Sequence, residues 1–351
     1  MNGLVTLHLC RETALPPGRP GIIPLESIPV QMIEIPGVST FATQYTQADS
    51  TVLIVRHPDP GVLRVSGEDR LDLLNRMSTN QLLHLTPGTS ATTVFTTPIG
   101  RIVEVARVLS QPEQALLLTA PGRAAPLRDW LQRHIFFQDK VTLAELTGPW
   151  SHWGVYGPQA LERARTLAPE LPALESGAHA ELPGGVAWSV LQPRPGFEFA
   201  LQGEATQPAE AAWPTGAAER QAYEALRIEA GLPAPGREIT SEAIPLEVGL
   251  WEAVSFSKGC YIGQEIIARM ESRGRQARQL AGIRLEQPAE AGAPLRQGNS
   301  LQGRLTSVAE SPRLGWIGLA VVKPAALAEA GGRVGVGENG ASGELVELPF
   351  A

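Results

Sequence analysis

The spacing of apolar and polar residues divides the chain into three parts. Residues 1–50 carry six prolines from Pro16 to Pro36 and few periodic apolar positions, which predicts an irregular N-terminal arm. In residues 51–275, short strand patterns alternate with amphipathic helices. Residues 276–351 hold five or six short strand patterns without a helix, which is typical of a small antiparallel barrel.

The middle part supplies most of the predicted elements. A strand at residues 61–67 precedes a helix with apolar positions at Leu71, Leu74 and Met77, which Asp69 is placed to cap. The other patterns predict a meander over residues 92–119, a helix over 126–135, strands at 152–156, 186–191 and 197–201, and helices at 217–230 and 264–273. The predicted fold class is therefore α+β, followed by a separate barrel domain.

Composition narrows the class of protein. A chain of 351 residues exceeds what one core usually supports, and its net charge of −7 with no basic run argues against nucleic acid as a partner. No apolar run is long enough to span a membrane, and the N-terminal residues lack the basic and apolar regions of a signal peptide, which predicts that they do not form one. Two cysteines, Cys10 and Cys260, are too few for a disulfide framework, which predicts a cytoplasmic location.

The stretch Ser257–Arg269 concentrates the candidate chemistry. Cys260 precedes a predicted helix N-terminus and stands two residues from Lys258, and both features favour a thiolate if the sulfur is exposed. The alternative is a small buried hydrophobic residue, the commonest state of a free cysteine. Gly259 and Gly263 permit positive φ, and the side chains of the two residues after Gly263 offer donors and acceptors suited to a flat heterocycle.

Glu229 is a second candidate because of its position. It lies in the last turn of the helix predicted over residues 217–230, where a carboxylate opposes the helix dipole. Solvent exposure or an ion pair with Arg227 or Arg237 would explain this placement without a function. The residues alone favour that explanation.

The string Lys258–Glu265, with Arg269 after it, resembles the signature of the YgfZ family, folate-binding relatives of the glycine-cleavage T-protein. The resemblance covers roughly residues 60–350. Further matching segments are Gly67–Asp69, Ser78–Asn80, Gly100–Ile102, Arg227–Pro233, Leu305–Ser307, Ser311–Pro312 and Leu348–Phe350.

This resemblance implies a cloverleaf of two interlocked α+β subdomains and a C-terminal antiparallel β-barrel, with tetrahydrofolate or a one-carbon derivative in a central channel. Glu229 matches the glutamate that binds the pterin ring in T-proteins. The resemblance therefore favours a folate-binding role for Glu229 over the non-functional explanation that its position alone suggests. Cys260 with Lys258 would form the reactive pair. The further folate-binding residues implied are Arg227, Tyr261, Gln264, Glu265, Arg269 and Asn80.

Three functions remain open at this point. The first is a tetrahydrofolate-dependent factor that supports iron–sulfur cluster assembly or repair, with iron–sulfur proteins or their assembly machinery as partners. The second is an aminomethyltransferase, although Glu104 stands where T-proteins carry adjacent aspartates. The third is a non-catalytic folate-binding module. The sequence predicts no metal site, because two cysteines cannot form the four-thiolate cage of a cluster.

Overall fold

The computed structural model describes residues 40–146, 148–213, 216–274, 276–328, 332–338 and 340–351. The predicted arm therefore lies largely outside the described residues. The helices are α1 (Phe41–Ser50), α2 (Arg70–Met77), α3 (Ala124–Gln132), α4 (Ala160–Arg165), α5 (Thr206–Ala212), α6 (Ala217–Glu229), α7 (Gln264–Arg273) and α8 (Pro324–Ala328).

The strands of the middle part are β1 (Leu53–His57), β2 (Gly61–Ser66), β3 (Ser90–Thr96), β4 (Ile102–Ser110), β5 (Gln114–Thr119), β6 (Thr142–Glu145), β7 (Trp150–Tyr156), β8 (His179–Leu182), β9 (Gly185–Val190) and β10 (Gly196–Gln202). The C-terminal strands are β11 (Gln279–Leu285), β12 (Pro294–Gln297), β13 (Ser300–Ser311), β14 (Gly315–Val322), β15 (Arg333–Val336) and β16 (Ala341–Val346).

Two five-stranded antiparallel sheets form the middle part. One has the order β1-β7-β10-β9-β8 and the other β3-β4-β5-β2-β6, so β1 leaves its sequence neighbours and joins strands that come about 100 residues later. This exchange interlocks the two α+β subdomains, and the predicted fold class is confirmed. In the first sheet His57 pairs directly with His152, and Glu198 pairs with Gly154.

The two sheets pack face to face through apolar side chains that alternate along each strand. From the first sheet these include Trp150, Val186 and Trp188, and from the second Leu109 and Leu118. The outer face of the second sheet is covered by α2 and α3, and that of the first by α4 and α5. Buried and less buried residues alternate along most of β4. This alternation matches the apolar pattern in the sequence, which is why the meander was predicted correctly.

The C-terminal part is a closed barrel of six strands in the order β11-β14-β13-β12-β15-β16. Its interior is filled by small and branched apolar side chains such as Ile283, Leu305 and Val334. The predicted barrel is confirmed, with one difference. The short helix α8 follows β14, where the sequence analysis expected no helix.

The structure also corrects the predicted arm at its C-terminal end. Residues Phe41–Ser50 form α1, whose N-terminus is capped by Thr40 Oγ1, 3.3 Å from the backbone nitrogen of Thr43. Only Tyr45 and Ala48 of α1 are buried, and they pack against α6. Because this apolar stripe is so short, the helix depends on its tertiary partner more than on its own pattern.

Two glycines bound α7 as the sequence predicted. Gly263 has φ +84° and Gly274 has φ +56°. A Cβ on Gly263 would lie 2.6 Å from the carbonyl oxygen of Thr97, so both conformation and space require glycine there. Among the described helices, none is long and apolar enough to cross a membrane.

Candidate functional site

Lys258 is a buried connector between the motif and α2. Its Nζ donates hydrogen bonds to the carbonyl oxygens of Asn75 (2.5 Å), Ser78 (2.7 Å) and Asn80 (2.7 Å), which lie in the last turn of α2 or directly after it. These carbonyls lack helical partners, and the ammonium group also matches the dipole of the helix. Burial lowers the pKa of Lys258 to about 8. The ammonium is thus committed to backbone acceptors.

The side chains after Lys258 divide between surface and interior. Cys260 is a free, exposed thiol, whereas the ring of Tyr261 is buried with Lys258 Nζ 5.2 Å from its centroid. Burial raises the pKa of Tyr261 to about 12. On α7, Glu265 and Arg269 are exposed and form an ion pair of 2.7 Å, and Gln264 is half-buried.

Asn80 fixes the turn that Lys258 caps. Its Nδ2 donates to the carbonyl oxygens of Thr92 (2.8 Å) and Glu252 (3.1 Å), and its Oδ1 accepts from the backbone nitrogen of Gln81. The side chain therefore joins three segments of backbone. This arrangement accounts for the asparagine without a ligand.

Glu229 is buried and its carboxylate faces α1 and the barrel. Oε1 accepts hydrogen bonds from the hydroxyls of Tyr45 (2.7 Å) and Ser311 (2.5 Å), and Oε2 accepts from Arg313 (3.3 Å). Burial and the contact with Glu229 raise the pKa of Tyr45. Three donors thus compensate a carboxylate at a helix C-terminus.

Arg227 lies two residues earlier on α6 and therefore points to a different side of the helix. Its guanidinium donates to both carboxylate oxygens of Glu224 (2.7 and 2.5 Å), to the carbonyl oxygen of Leu232 (2.9 Å) and to Ser307 Oγ (2.7 Å). Ser307 belongs to β13, so this network ties α6 to the barrel. Arg227 also lines a large central cavity.

The central cavity has a volume of about 1060 Å³ and is bounded by both sheets, α6, the segment 232–239 and the barrel strands β13 and β14. Its lining includes Arg227 but neither Glu229, Asn80 nor any residue of the range 258–269. The structure consequently places the sequence-predicted residues in two regions. Only Arg227 of that set faces the large cavity.

A polar cluster from the first sheet borders this cavity, and its members His57, His152 and Glu198 contribute to the lining. Tyr156 Oη donates to Glu198 Oε1 (2.8 Å) and lies 2.8 Å from His57 Nε2, while His152 Nε2 lies 3.2 Å from Glu198 Oε2. A Cβ on Gly154 would lie 2.3 Å from Tyr156 Oη, so this glycine lets the phenol cross the strand. The sequence analysis missed the cluster, because its members come from three separate strands.

Burial sets the charges of this cluster. It lowers the pKa of His57 to about 3, assisted by the charge of His152, so His57 is neutral at pH 7. The pKa of Glu198 is lowered to about 2 because its hydrogen bond to His152 and the nearby positive charges outweigh the opposing effect of burial. Burial raises the pKa of Tyr223 well above its usual value, and its ring stacks on Tyr156.

Glu104, the candidate substitute for the T-protein aspartates, has another role. Its Oε2 accepts from Arg123 Nε (2.8 Å) and its Oε1 from the backbone nitrogen of Ala120 (3.2 Å). It is buried and absent from the lining of the central cavity, to which its neighbour Val105 contributes. Glu104 therefore stabilises the start of α3.

Comparisons with known proteins agree with this architecture. The GCVT N-terminal domain model matches residues 44–177, and the glycine cleavage T-protein C-terminal barrel domain model matches residues 278–351. The crystal structure of glycine cleavage system aminomethyltransferase T from Bartonella henselae superposes with a TM-score of 0.77, at 21% identity over 89% of each chain. This likeness establishes the T-protein fold.

Curated relatives establish the family. A putative chloroplastic transferase from Arabidopsis thaliana is 33% identical over 315 residues, covering 86% of this chain and 72% of the relative. The aminomethyltransferase of Shouchella clausii is 30% identical over 297 residues, covering 76% and 77% of the two chains. The chain belongs to the glycine-cleavage T-protein family. The relationship inferred from the sequence motifs is confirmed at this level, while membership of the YgfZ branch stays a prediction.

Proposed function

We propose that this protein binds a reduced folate in the central cavity and acts as an aminomethyltransferase-like one-carbon transferase. The observation that carries the proposal is the cavity itself, which lies where the two sheets, α6 and the barrel meet in a T-protein fold. Its volume of about 1060 Å³ is sufficient for a ligand larger than most drug molecules. Relatives named aminomethyltransferases support the class of reaction.

The cavity lining suits the two ends of a folate. Aromatic rings of Trp188, Tyr223 and Trp316 offer flat surfaces for a pterin or a benzoyl group. The exposed guanidinium groups of Arg220 and Arg237 match the carboxylates of a glutamate tail. The proposed ligand orientation has its pterin inside and its tail at the exposed rim.

Tetrahydrofolate binding by isothermal titration calorimetry tests the proposal. Val105→Trp fills the cavity from its wall, and we expect at least a tenfold loss of affinity, equivalent to about 1.4 kcal/mol. Glu265→Ala removes an exposed motif residue outside the lining, and its affinity is expected to equal that of the wild type. A wild type without binding, or equal binding by Val105→Trp, would contradict the proposal.

Glu229 still needs a separate measurement. A predicted pterin contact requires its carboxylate, whereas the contacts to Tyr45 and Ser311 require only an acceptor oxygen. Glu229→Gln retains that acceptor. A tenfold weaker affinity for tetrahydrofolate in this variant would support the pterin contact. An unchanged affinity would contradict a contact between Glu229 and the pterin ring. Bound folate without methylene transfer from glycine derivatives would favour the non-catalytic module.

A role in iron–sulfur cluster assembly or repair is a second candidate function, because Cys260 is an exposed thiol within the motif that resembles the YgfZ signature. We expect Cys260→Ser to lose most of the ability to restore iron–sulfur enzyme activity in cells lacking the endogenous factor. Cys260→Ser should fold normally, since the side chain is exposed. Full restoration by this variant would exclude Cys260 as the reactive residue. The cytoplasm is the proposed location.

A further inference from the structure

Three side chains of the polar cluster have the composition of a metal site. His57 and His152 are direct cross-strand partners on β1 and β7, and Glu198 lies on β10, the other neighbour of β7. One ligand atom from each residue lies within 4.8 Å of the other two. All three residues line the central cavity. The sequence indicates no such site because the three positions share no motif.

The distances are compatible with ligation after small side-chain rotations. Atoms bound to one Zn²⁺ at about 2.0–2.2 Å lie roughly 3.5 Å apart in a tetrahedral arrangement. His152 Nε2 and Glu198 Oε2 are already 3.2 Å apart. The most distant pair must approach by about 1 Å, which rotation of the side chains supplies. The strands that carry them are adjacent and hydrogen-bonded, so the backbone need not move.

The carboxylate of Glu198 forms no described ion pair with an arginine. The nearby cation Arg107 hydrogen-bonds Ser90 Oγ (3.2 Å) and lies over the Trp188 ring. Among the described ion pairs, Glu198 has only His152 as its partner. A metal ion would therefore replace the hydrogen bond between His152 and Glu198 and would not have to displace an arginine.

The surroundings complete the expected arrangement. Tyr156 donates to Glu198 Oε1, as outer hydrogen-bond donors commonly do for carboxylate ligands. The two histidines and Glu198 line a cavity large enough for water or a substrate. A site with these three ligands would therefore keep an open coordination position. We propose that His57, His152 and Glu198 form a binding site for a divalent first-row transition-metal ion such as Zn²⁺, independent of whether folate binds.

Titration of the full, chelator-treated protein with Co²⁺ tests this site. We expect one Co²⁺ per chain with the intense visible absorption of four- or five-coordinate cobalt, displaced by Zn²⁺. His152→Ala and Glu198→Gln are each expected to bind Co²⁺ at least tenfold more weakly. Zn²⁺ should also raise the unfolding temperature of the wild type and not that of these variants.

Two control variants separate this site from adventitious binding. His84→Ala removes an exposed histidine and Cys260→Ser removes the exposed thiol, and both are expected to retain wild-type Co²⁺ affinity. Because Glu198→Gln preserves size, its circular dichroism should match the wild type even if His152→Ala fails to fold. A wild-type dissociation constant above about 1 mM, or equal binding by Glu198→Gln, would overturn the proposal.

Discussion

Replacement of Lys258 by methionine is expected to lower the free energy of unfolding by about 3 kcal/mol, because a buried donor to three carbonyl oxygens disappears. Methionine keeps an apolar stem but removes the ammonium group, and with it both the hydrogen bonds to these acceptors and the contact of Nζ with the Tyr261 ring. Each unsatisfied buried group costs about 1–3 kcal/mol, and water admitted to the gap would recover part of this loss. Urea unfolding at pH 7 gives the value.

Lys323→Met is the matched control for this substitution. Lys323 is exposed and its Nζ donates to one carbonyl oxygen, that of Leu301 (2.7 Å). We expect its loss to cost less than about 1 kcal/mol. Equal destabilisation by the two variants would contradict the assigned role of Lys258. If Lys258 instead served Cys260, its replacement would change thiol reactivity without a comparable loss of stability.

Local patterns were sufficient for most of the fold. The meander, α6, α7 and the barrel strands were predicted because their signals lie within ten or fifteen residues, as with the alternation of burial along β4 and the glycines that bound α7. Helix α1 was missed for the converse reason. It buries only Tyr45 and Ala48, and its stability comes from α6, more than 160 residues away in the chain.

The candidate site was less predictable because its contacts are long-range. Lys258 stands two residues from Cys260, yet its ammonium reaches carbonyls about 180 residues earlier. Glu229 accepts hydrogen bonds from Tyr45 and Ser311. Both residues are distant in the sequence, so the pattern of the helix cannot predict these contacts. The cavity cluster joins three strands whose polar positions look like ordinary outward residues. The cross-strand register, which pairs His57 with His152, brings its members together, and no sequence motif marks them.

The stability of this protein should fall as pH is lowered from 6.5 towards 3, and His57 should be a main cause. In the folded state His57 stays neutral down to a pKa of about 3, whereas the unfolded chain protonates it near 6.5. The unfolded state therefore binds about one more proton in this window, which lowers the free energy of unfolding by about 1.4 kcal/mol per pH unit. The total effect is on the order of 3–5 kcal/mol.

Glu198 adds a loss of the same sign below pH 4.5, since its carboxylate stays ionised to about pH 2 in the folded state. The interval from pH 6.5 to 4.5 thus excludes the contribution of Glu198. Burial also lowers the pKa of His179, so the comparison of the wild type with a His57 variant is what assigns the loss to His57. We expect His57→Gln, whose amide can still donate to Tyr156 Oη, to reduce the slope of stability against pH by about one proton. Urea unfolding in the presence of a chelator, at half-unit pH intervals, measures both slopes.

His84→Gln should keep the wild-type slope, because His84 is exposed. Parallel curves for His57→Gln and the wild type would mean that His57 protonates equally well in the folded and unfolded states, which would contradict this prediction. A reduced slope has the opposite consequence. It would establish that the fold holds His57 neutral against protonation below pH 6.5, at a cost in stability that grows as the pH falls.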